Sequence, residues 1–349
     1  FGALALIGLA TALINTVVAV ALARSQGAWA LIWGSIAGAL TFLIASFWAA
    51  PYKPRIRLAV RAANSLMRFG RWIFLIGIIA VLSDTLLRLI ITRQLGVAEL
   101  GLFFMAARLG FLPAQLITEI VGTVAFPVYA HLQDNREKAT NTYRKVLLAT
   151  TALMVPACGI FVCLAPAVVS DLLGERWQGT VLVMQLLILS SVVGVLGDSV
   201  APLLKGIGRP AKIAWMDTLQ FLVLIAMAWL LVGRWGLAGA GLAWVASIAA
   251  SQFFAYVYAD RLLDEPFEGT GRALLAIMVA GIAAALVAAV IVQAVSGVAG
   301  IAIAAAVSSV TAVVVMIALD WRLGLGLRET LAEPFPWTRR LAGLWRVEP

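Results

Sequence analysis

The chain has 349 residues, of which 63% are hydrophobic and only 12% are charged. So apolar a composition excludes a soluble globular domain and is typical of a bundle of helices exposed to lipid. The formal net charge is +9, a value that also fits a nucleic-acid-binding protein, so the distribution of the charge decides its meaning.

Apolar runs of about 20 residues, separated by short polar loops, predict ten transmembrane helices. In chain order they cover residues 1–23, 28–50, 69–91, 101–128, 144–170, 177–204, 212–232, 236–259, 271–295 and 298–319. The predicted fold class is therefore an all-α polytopic membrane protein. Because the chain starts at Phe1 rather than Met and enters a hydrophobic segment at once, we expect further sequence upstream of it.

The basic residues are distributed unevenly between the two sides of the predicted membrane. One set of loops holds most of the 26 Lys and Arg residues, whereas the opposite set holds only Arg24, Arg93, Arg176 and Arg234. By the positive-inside rule, the basic side is the cytoplasmic one. The net charge is thus a topology signal, and we expect no nucleic-acid partner.

The stretch from Pro51 to Arg71 is the longest internal cytoplasmic connection and the most basic. Its apolar residues alternate with arginines, a pattern that predicts an amphipathic helix lying on anionic lipids. A simple positive-inside anchor would show the same pattern. The tail, with Trp337, Trp345 and scattered arginines, indicates a second cytoplasmic segment at the membrane interface.

Charged side chains interrupt the third and fourth predicted helices. Asp84 and Arg88 share one helix face, and Arg108, Gln115 and Glu119 share a face of the next helix. If the two helices pair in antiparallel fashion, Asp84 and Arg108 both lie about 10 Å from the shared end and can meet. A charge facing lipid there would cost roughly a few kcal/mol or more, so we expect these side chains to face helices or a water-filled cavity.

Two roles remain open for these charges, a pair that only locks two helices together and a transport path. Asp198 lies on a polar stripe of the sixth helix with Ser191, near the cytoplasmic end, and either a pathway or solvation at the helix end would explain it. For Asp217, solvation at the helix end is the expected explanation. A buried Glu119 without a cation would be a candidate for proton coupling.

Prolines inside the predicted helices mark expected bends. Pro113 follows Gly110, and Pro127 and Pro156 lie within predicted helices. Bent helices with glycine-rich neighbours can pack closely and slide. That arrangement suits a rocking bundle but is also common in static ones.

The sequence shows no pattern of a catalytic or cofactor site. It contains no metal-ligand cluster, Gly-rich phosphate loop or nucleophile triad, so we expect no metal, no cofactor and no enzymatic activity. Cys158 and Cys163 lie in one apolar stretch and are expected to act as small buried apolar residues. A membrane glycosyltransferase or polymerase would need a long outer loop, and the longest one predicted here runs only from about Thr92 to Leu100.

A series of short motifs follows a fixed order along the chain. They are Arg68-Phe69-Gly70, Ser83-Asp84, Leu95-Gly96, Leu100-Gly101, Ala107-Arg108-Leu109, Ala125-Phe126-Pro127, Gly174-Glu175-Arg176-Trp177, residues 203–209 and residues 236–241. In this order and at these places in the predicted helices, they resemble the lipid-linked oligosaccharide flippases. These form the polysaccharide-transporter branch of the multidrug/oligosaccharidyl-lipid/polysaccharide exporter superfamily.

The resemblance implies two six-helix lobes around a central cavity, followed by two further helices. On that template, residues 1–50 are the last two helices of the N-lobe, 51–68 a basic cytoplasmic linker, 69–259 the six-helix C-lobe, 271–319 the two additional helices and 320–349 the cytoplasmic interfacial tail. The chain would then be a partial two-lobed exporter fold that lacks about four N-terminal helices.

The resemblance also implies a function in the bacterial inner membrane. Such a protein flips undecaprenyl-pyrophosphate-linked oligosaccharide to the periplasmic leaflet, for O-antigen, capsule or exopolysaccharide biosynthesis, and would work with glycosyltransferases and a polymerase. The pathway residues expected here are Asp84, Arg88, Arg108, Gln115, Glu119 and Asp198, with the two arginines as anion contacts and Asp84 as their partner or a cation site. The alternative in the same superfamily is a cation-coupled multidrug antiporter, which predicts a smaller, more acidic and more aromatic cavity.

Overall fold

The structure, a computed structural model, describes residues 2–49, 60–131 and 136–323, and every regular element in them is a helix. The all-α fold predicted from the sequence is thus confirmed for the described residues. Residues 51–59 of the predicted linker, and the tail from residue 324 onward, lie outside them. The chain divides into two units, residues 1–64 and 65–349.

The first unit contains a helical hairpin made of α1 (Gly2–Gln26) and α2 (Trp29–Ala49). Gly27, with a φ of 54°, forms the turn between them, a conformation that glycine adopts without strain. Gly34 and Gly38 are buried on one face of α2, where they touch Asn15 and Thr11 of α1. Two small residues four apart let helix backbones approach closely in a membrane, and this pair holds the hairpin together.

Replacing Gly34 with Leu should push α1 and α2 apart. A Cβ at this position would lie 2.7 Å from the backbone oxygen of Asn15, and that oxygen cannot move without moving its helix. We expect the thermal unfolding midpoint of the purified full-length protein to fall by about 3 °C or more. Gly8→Leu is the matched control, because a Cβ at Gly8 meets nothing within 4 Å. Equal midpoints for the two variants would contradict the close approach.

The second unit contains most of α3 and all of the later helices. Their bounds are α3 (Val60–Leu95), α4 (Val97–Gly110), α5 (Leu112–His131), α6 (Arg136–Ala167), α7 (Val181–Val193), α8 (Val195–Gly206), α9 (Pro210–Leu262), α10 (Thr270–Ala294) and α11 (Gly297–Leu323). A π-helical turn at Val168–Leu173 and a 3-10 turn at Glu175–Thr180 connect α6 to α7.

Eight described helices are long and apolar enough to cross a membrane, or nine if the bent pair α4 and α5 is counted as one span. The predicted total of ten is not confirmed by this count. Part of the difference lies in α9, whose 53 residues would extend about 80 Å if straight, against a hydrocarbon thickness of about 30 Å. Gly236 (φ 58°, ψ −141°) breaks α9 into a first limb, residues 210–235, and a second limb, residues 237–262. Each limb is long enough to cross the hydrocarbon.

Two further breaks shape the second unit. The axes of α4 and α5 differ by 43°, and the break falls between Gly110 and Pro113, so the bend predicted there is confirmed. Another break at Gly194 separates α7 from α8. By contrast, α6 continues through Pro156 and Pro166 without interruption.

The hydrophobic core of the second unit lies where α6, α7 and α9 pack together, and includes Met154, Leu187 and Ala228. On its other side α6 packs against α10, with Gly159 close to the backbone of Gly281. Cys158 is buried in this core, as predicted, and Cys163 is half-buried.

Candidate functional site

A cavity of about 510 Å³ lies between the helices of the second unit. Its walls come from α3, α5, α7, α8 and both limbs of α9, together with the bend between α4 and α5. The polar side chains that line it include three carboxylates and three amides, those of Asp84, Asp198, Asp217, Gln115, Gln220 and Gln252. In the described part of the chain, no Lys or Arg contributes to the lining.

Asp84 reaches the cavity from α3 and is held by Arg88, one helical turn further on. Arg88 Nη2 lies 2.9 Å from Asp84 Oδ2, and Arg88 Nε donates a hydrogen bond of 3.0 Å to Oδ1. Both side chains are about half exposed, so this two-pronged pair adds little stability, but it fixes the orientation of the carboxylate. The Arg88 guanidinium also lies over the Phe104 ring at 5.5 Å, and these contacts hold the cation outside the cavity.

Asp198 and Asp217 bring the other two carboxylates to the cavity. Asp198 lies in the first turn of α8, where the partial positive charge of a helix N-terminus favours an anion. No ion pair joins it to a basic side chain of the described residues. Asp217, on the first limb of α9, interacts with the charge of Lys205, whose side chain is exposed.

Gln252 ties the second limb of α9 to the start of α8. Its Oε1 accepts a hydrogen bond of 2.7 Å from the backbone N–H of Gly197. The first N–H groups of a helix have no partner within the helix, and the break at Gly194 places Gly197 in that position. A Cβ at Gly197 would lie 3.1 Å from Gln252 Nε2, so a larger residue there would force the amide to shift. Gln252 therefore sets the position of α8, and with it that of Asp198.

Two aromatic side chains form the apolar part of the wall. Phe111 lies at the bend between α4 and α5, and Trp244 lies on the second limb of α9. Their ring centroids are 5.3 Å apart, and the ring planes are tilted by 48°. Such a tilted arrangement suits the quadrupoles of the two rings. The indole Nε1–H of Trp244 is buried and has no acceptor in the described structure.

Three of the six residues predicted for the pathway, Asp84, Gln115 and Asp198, line this cavity. The polar stripe predicted on the sixth span is present there too, since Ser191, Gly194 and Asp198 all face the cavity. The sequence could place each residue on a helix face. The meeting of these faces around one space depends on the packing of several helices.

The other three predicted residues, Arg88, Arg108 and Glu119, do not line the cavity. Arg108 and Glu119 are exposed in the described structure, so the burial on which proton coupling by Glu119 was predicted is not observed. The expected pairing of Asp84 with Arg108 is not observed either, because Asp84 pairs with Arg88. The reason is that α4 packs mainly on α7 and not along α3, so equal depth does not bring the two residues together.

Several lining residues were missed or assigned another role. Asp217 was expected to be solvated at a helix end, but it faces the cavity, with Gln220 one turn further along the same helix. Gln252 and Trp244 were not predicted. The polar pair Ser251-Gln252 within an apolar span was a usable signal for the first. For Trp244 no signal distinguishes it from the other eleven tryptophans of the chain.

Comparison with known proteins relates the chain to proteins of polysaccharide biosynthesis. The stretch 1–182 matches the family model described as "Polysaccharide biosynthesis protein". WzxC, a lipopolysaccharide biosynthesis protein of Escherichia coli, is 27% identical over 187 residues, which are 52% of this chain and 38% of WzxC. ExoT, a succinoglycan biosynthesis transport protein of Rhizobium meliloti, is 27% identical over 204 residues, which are 58% of this chain and 41% of ExoT. The matched part of the chain thus spans less than half of the length of these relatives.

The fold has a solved counterpart. The lipid II flippase MurJ, in an inward closed conformation, superimposes with a TM-score of 0.71 and 12% identity, over 90% of this chain and 67% of that one. At this identity the likeness concerns the fold alone.

The apolar helices and the transporter relatives together indicate a multi-pass protein of the bacterial inner membrane. Since the family model matches just over half of the chain, the chain belongs to the polysaccharide biosynthesis protein family.

Proposed function

We propose that this chain belongs to a transporter that flips undecaprenyl-pyrophosphate-linked oligosaccharide from the cytoplasmic to the periplasmic leaflet, for the biosynthesis of a surface polysaccharide. In this proposal it acts by alternating access, and it is not an enzyme. Its partners are the lipid-linked substrate, anionic lipids at the cytoplasmic interface, and the glycosyltransferases and polymerase that precede and follow the flipping step.

The observation that supports this proposal best is a polar cavity between apolar helices in a member of this family. A headgroup made of sugars and phosphates cannot cross hydrocarbon without a hydrated path. Transporters provide such a path between helices that are broken or bent near the site. Here the breaks at Gly194 and between α4 and α5 both adjoin the cavity.

The proposed pathway includes the three cavity residues Asp84, Gln115 and Asp198. In this proposal Arg88, Arg108 and Glu119 contact the substrate outside the cavity, with the arginines as contacts for anionic groups. Their exposure in the described structure leaves them accessible for such contacts.

The proposal is tested by expressing the full-length protein in a bacterium whose own polysaccharide flippase has been deleted. We expect surface polysaccharide to return and the lipid-linked oligosaccharide in the inner leaflet to decrease. Correct insertion of the protein without any return of polysaccharide would contradict the proposal. Release of sugar or phosphate from the lipid-linked substrate by the purified protein would indicate an enzyme.

Asp198→Asn should lower the export of polysaccharide about fivefold. The carboxylate has no cation partner in the described structure. Asn keeps one acceptor oxygen, so a substrate group that donates to it would exchange a charge-assisted hydrogen bond for a neutral one, a loss of about 1 kcal/mol or fivefold. Export is measured as surface polysaccharide relative to the amount of inserted protein. Asp260→Asn is the matched control, because Asp260 is exposed near the end of α9 and does not line the cavity. Equal export by the two variants would show that Asp198 is not part of the transport pathway.

A cation-coupled multidrug antiporter is a second candidate, and the lining itself supports it. Three carboxylates and two aromatic rings make this wall acidic and aromatic, as an antiporter for organic cations requires. Uptake of a cationic dye into inverted vesicles, driven by a sodium or proton gradient, would identify this function. We expect no such uptake by a flippase.

A further inference from the structure

We propose that this cavity binds the uncharged or amine-bearing sugar rings of the transported molecule and excludes its pyrophosphate and any uronic acid. Trp244 and Phe111 provide the surface on which a sugar ring stacks, and the carboxylates and amides around them bind its hydroxyl groups. This inference rests on the proposed function and assigns this cavity to one chemical part of the substrate.

The charges of the lining determine which group the cavity accepts. Asp84, Asp198 and Asp217 all present acceptor oxygens, and no Lys or Arg of the described residues lines the wall beside them. The nearest cations act from outside, since Arg88 pairs with Asp84 and packs on Phe104, and the side chain of Lys205 is exposed. A phosphate or uronate in this space would face the carboxylate of Asp198, which has no ion pair among the described residues, and two carboxylates whose cations do not line the wall. The anionic end of the substrate must therefore contact another surface.

The aromatic pair suits a sugar ring. A pyranose has two faces rich in C–H groups, and such faces pack on the negatively polarised face of an aromatic ring. Phe111 and Trp244 are only partly buried, and both line the cavity. With ring planes tilted by 48°, they form two adjoining walls. A sugar can stack on one ring and touch the second with its edge.

The polar groups around this surface suit hydroxyl groups. A carboxylate accepts several hydrogen bonds, and an amide side chain both donates and accepts. Gln252 uses its Oε1 for Gly197, which leaves its Nε2 close only to Ser251 Oγ, at 3.5 Å. Gln115 and Gln220 have no such structural task in the described residues. Since every sugar hydroxyl is both donor and acceptor, this mixture can satisfy a sugar without a fixed charge on it.

The size of the cavity fits a part of an oligosaccharide. At about 510 Å³ it lies within the range of small-molecule sites, about 300–1,000 Å³, and has room for roughly two hexose rings. The same walls would also accept an amino sugar, whose ammonium group can pair with Asp198. The cavity is too small to hold a whole repeat unit together with its lipid. The site therefore contributes selectivity for one part of the glycan.

The test measures binding of soluble probes to the purified full-length protein in nanodiscs by isothermal titration calorimetry. The probes are a neutral cello-oligosaccharide, a glucosamine oligomer, a galacturonate oligomer, inorganic pyrophosphate and tetraphenylphosphonium. We expect saturable binding of the neutral and amine-bearing oligomers, and binding at least about tenfold weaker for galacturonate and pyrophosphate. Asp198→Asn combined with Asp217→Asn should reduce this difference.

Variants at the aromatic pair show whether binding occurs in this cavity. Trp244→Ala should weaken binding of the neutral oligomer at least about fivefold. Trp244→Phe keeps a six-membered aromatic face while it removes the smaller ring, whose buried N–H has no acceptor in the described structure. It should therefore keep the affinity within about threefold, and a larger loss in Trp244→Ala then reports the missing aromatic face. Trp235→Ala is the matched control, since Trp235 is 58% exposed and outside the cavity.

Three outcomes would overturn the inference. These are unchanged binding in Trp244→Ala, equal or tighter binding of galacturonate or pyrophosphate at a site sensitive to Trp244, and Trp244-dependent binding of tetraphenylphosphonium without binding of any saccharide. If the unaltered protein restores surface polysaccharide and one of these results is found, the inference fails while the proposed function stands. If it does not restore polysaccharide, the proposed function itself fails.

Discussion

Gly239→Ala should prevent the two limbs of α9 from packing as they do, and little folded protein should be recovered. A Cβ at Gly239 would lie 2.2 Å from the backbone oxygen of Leu231 and 2.5 Å from its carbonyl carbon. Backbone atoms cannot rotate away as a side chain can, so the break at Gly236 would have to open. Both limbs contribute to the core and to the cavity wall, so this opening would disturb the whole second unit.

The measurement is the yield of monodisperse protein in detergent and its thermal unfolding midpoint. Gly233→Ala is the matched control in the same helix, because its Cβ would meet only the end of the Gln94 side chain, at 3.2 Å. That side chain can shift, so we expect the control to lower the midpoint by no more than about 3 °C. Recovery of Gly239→Ala at the level of this control would show that the limbs do not approach so closely.

Gln252→Leu should impair both the stability of the second unit and transport. The substitution leaves the partly buried N–H of Gly197 without its acceptor, a loss of about 0.5–1.5 kcal/mol, and of up to about 3 kcal/mol where water does not replace the bond. It also frees the start of α8, so Asp198 loses its fixed position in the cavity. If the free energy of a transport intermediate rises by about 1–3 kcal/mol for this reason, the rate of transport falls about 5- to 150-fold.

Gln252→Met distinguishes the hydrogen bond from the mere size of the side chain. It keeps a similar length and volume but has no carbonyl oxygen to accept from the N–H of Gly197, so it should lower the thermal midpoint about as far as Gln252→Leu does. Gln293→Leu is a control on the exposed surface of α10 and should leave both stability and export unchanged. Comparable export by Gln252→Leu and Gln293→Leu would exclude a role for this contact.

The prediction of the fold from the sequence was accurate where it depended on local properties of the chain. Apolar runs of spanning length predicted helices throughout, and the Gly110 and Pro113 pair predicted the bend between α4 and α5. These features follow from side-chain hydrophobicity and from the backbone limits of proline and glycine, which act over a few residues. The break of α9 at Gly236 is local too, and it coincides with the predicted start of the span 236–259.

The prediction of the site was less accurate, because it assumed how neighbouring helices pair. Equal depth in two consecutive helices suggested contact between Asp84 and Arg108. The positive φ of Gly96, 98°, turns the chain between α3 and α4, and α4 then packs on α7. Consecutive helices joined by a short turn need not be packing partners, and side-chain periodicity does not show which helix a face will meet.

The sequence by itself determined that this is an all-helical membrane protein, and it placed Asp84, Gln115 and Asp198 on polar faces of their helices. Both results depend on the free energy of transfer into lipid, which is nearly a property of each residue taken alone. Only the tertiary structure decided that these three residues share a cavity with Asp217, Gln252 and two aromatic rings, and that the arginines remain outside it. The physical reason is that the walls of a cavity come from five helices far apart in the chain, whose mutual positions are set by close contacts such as that between Gln252 and Gly197.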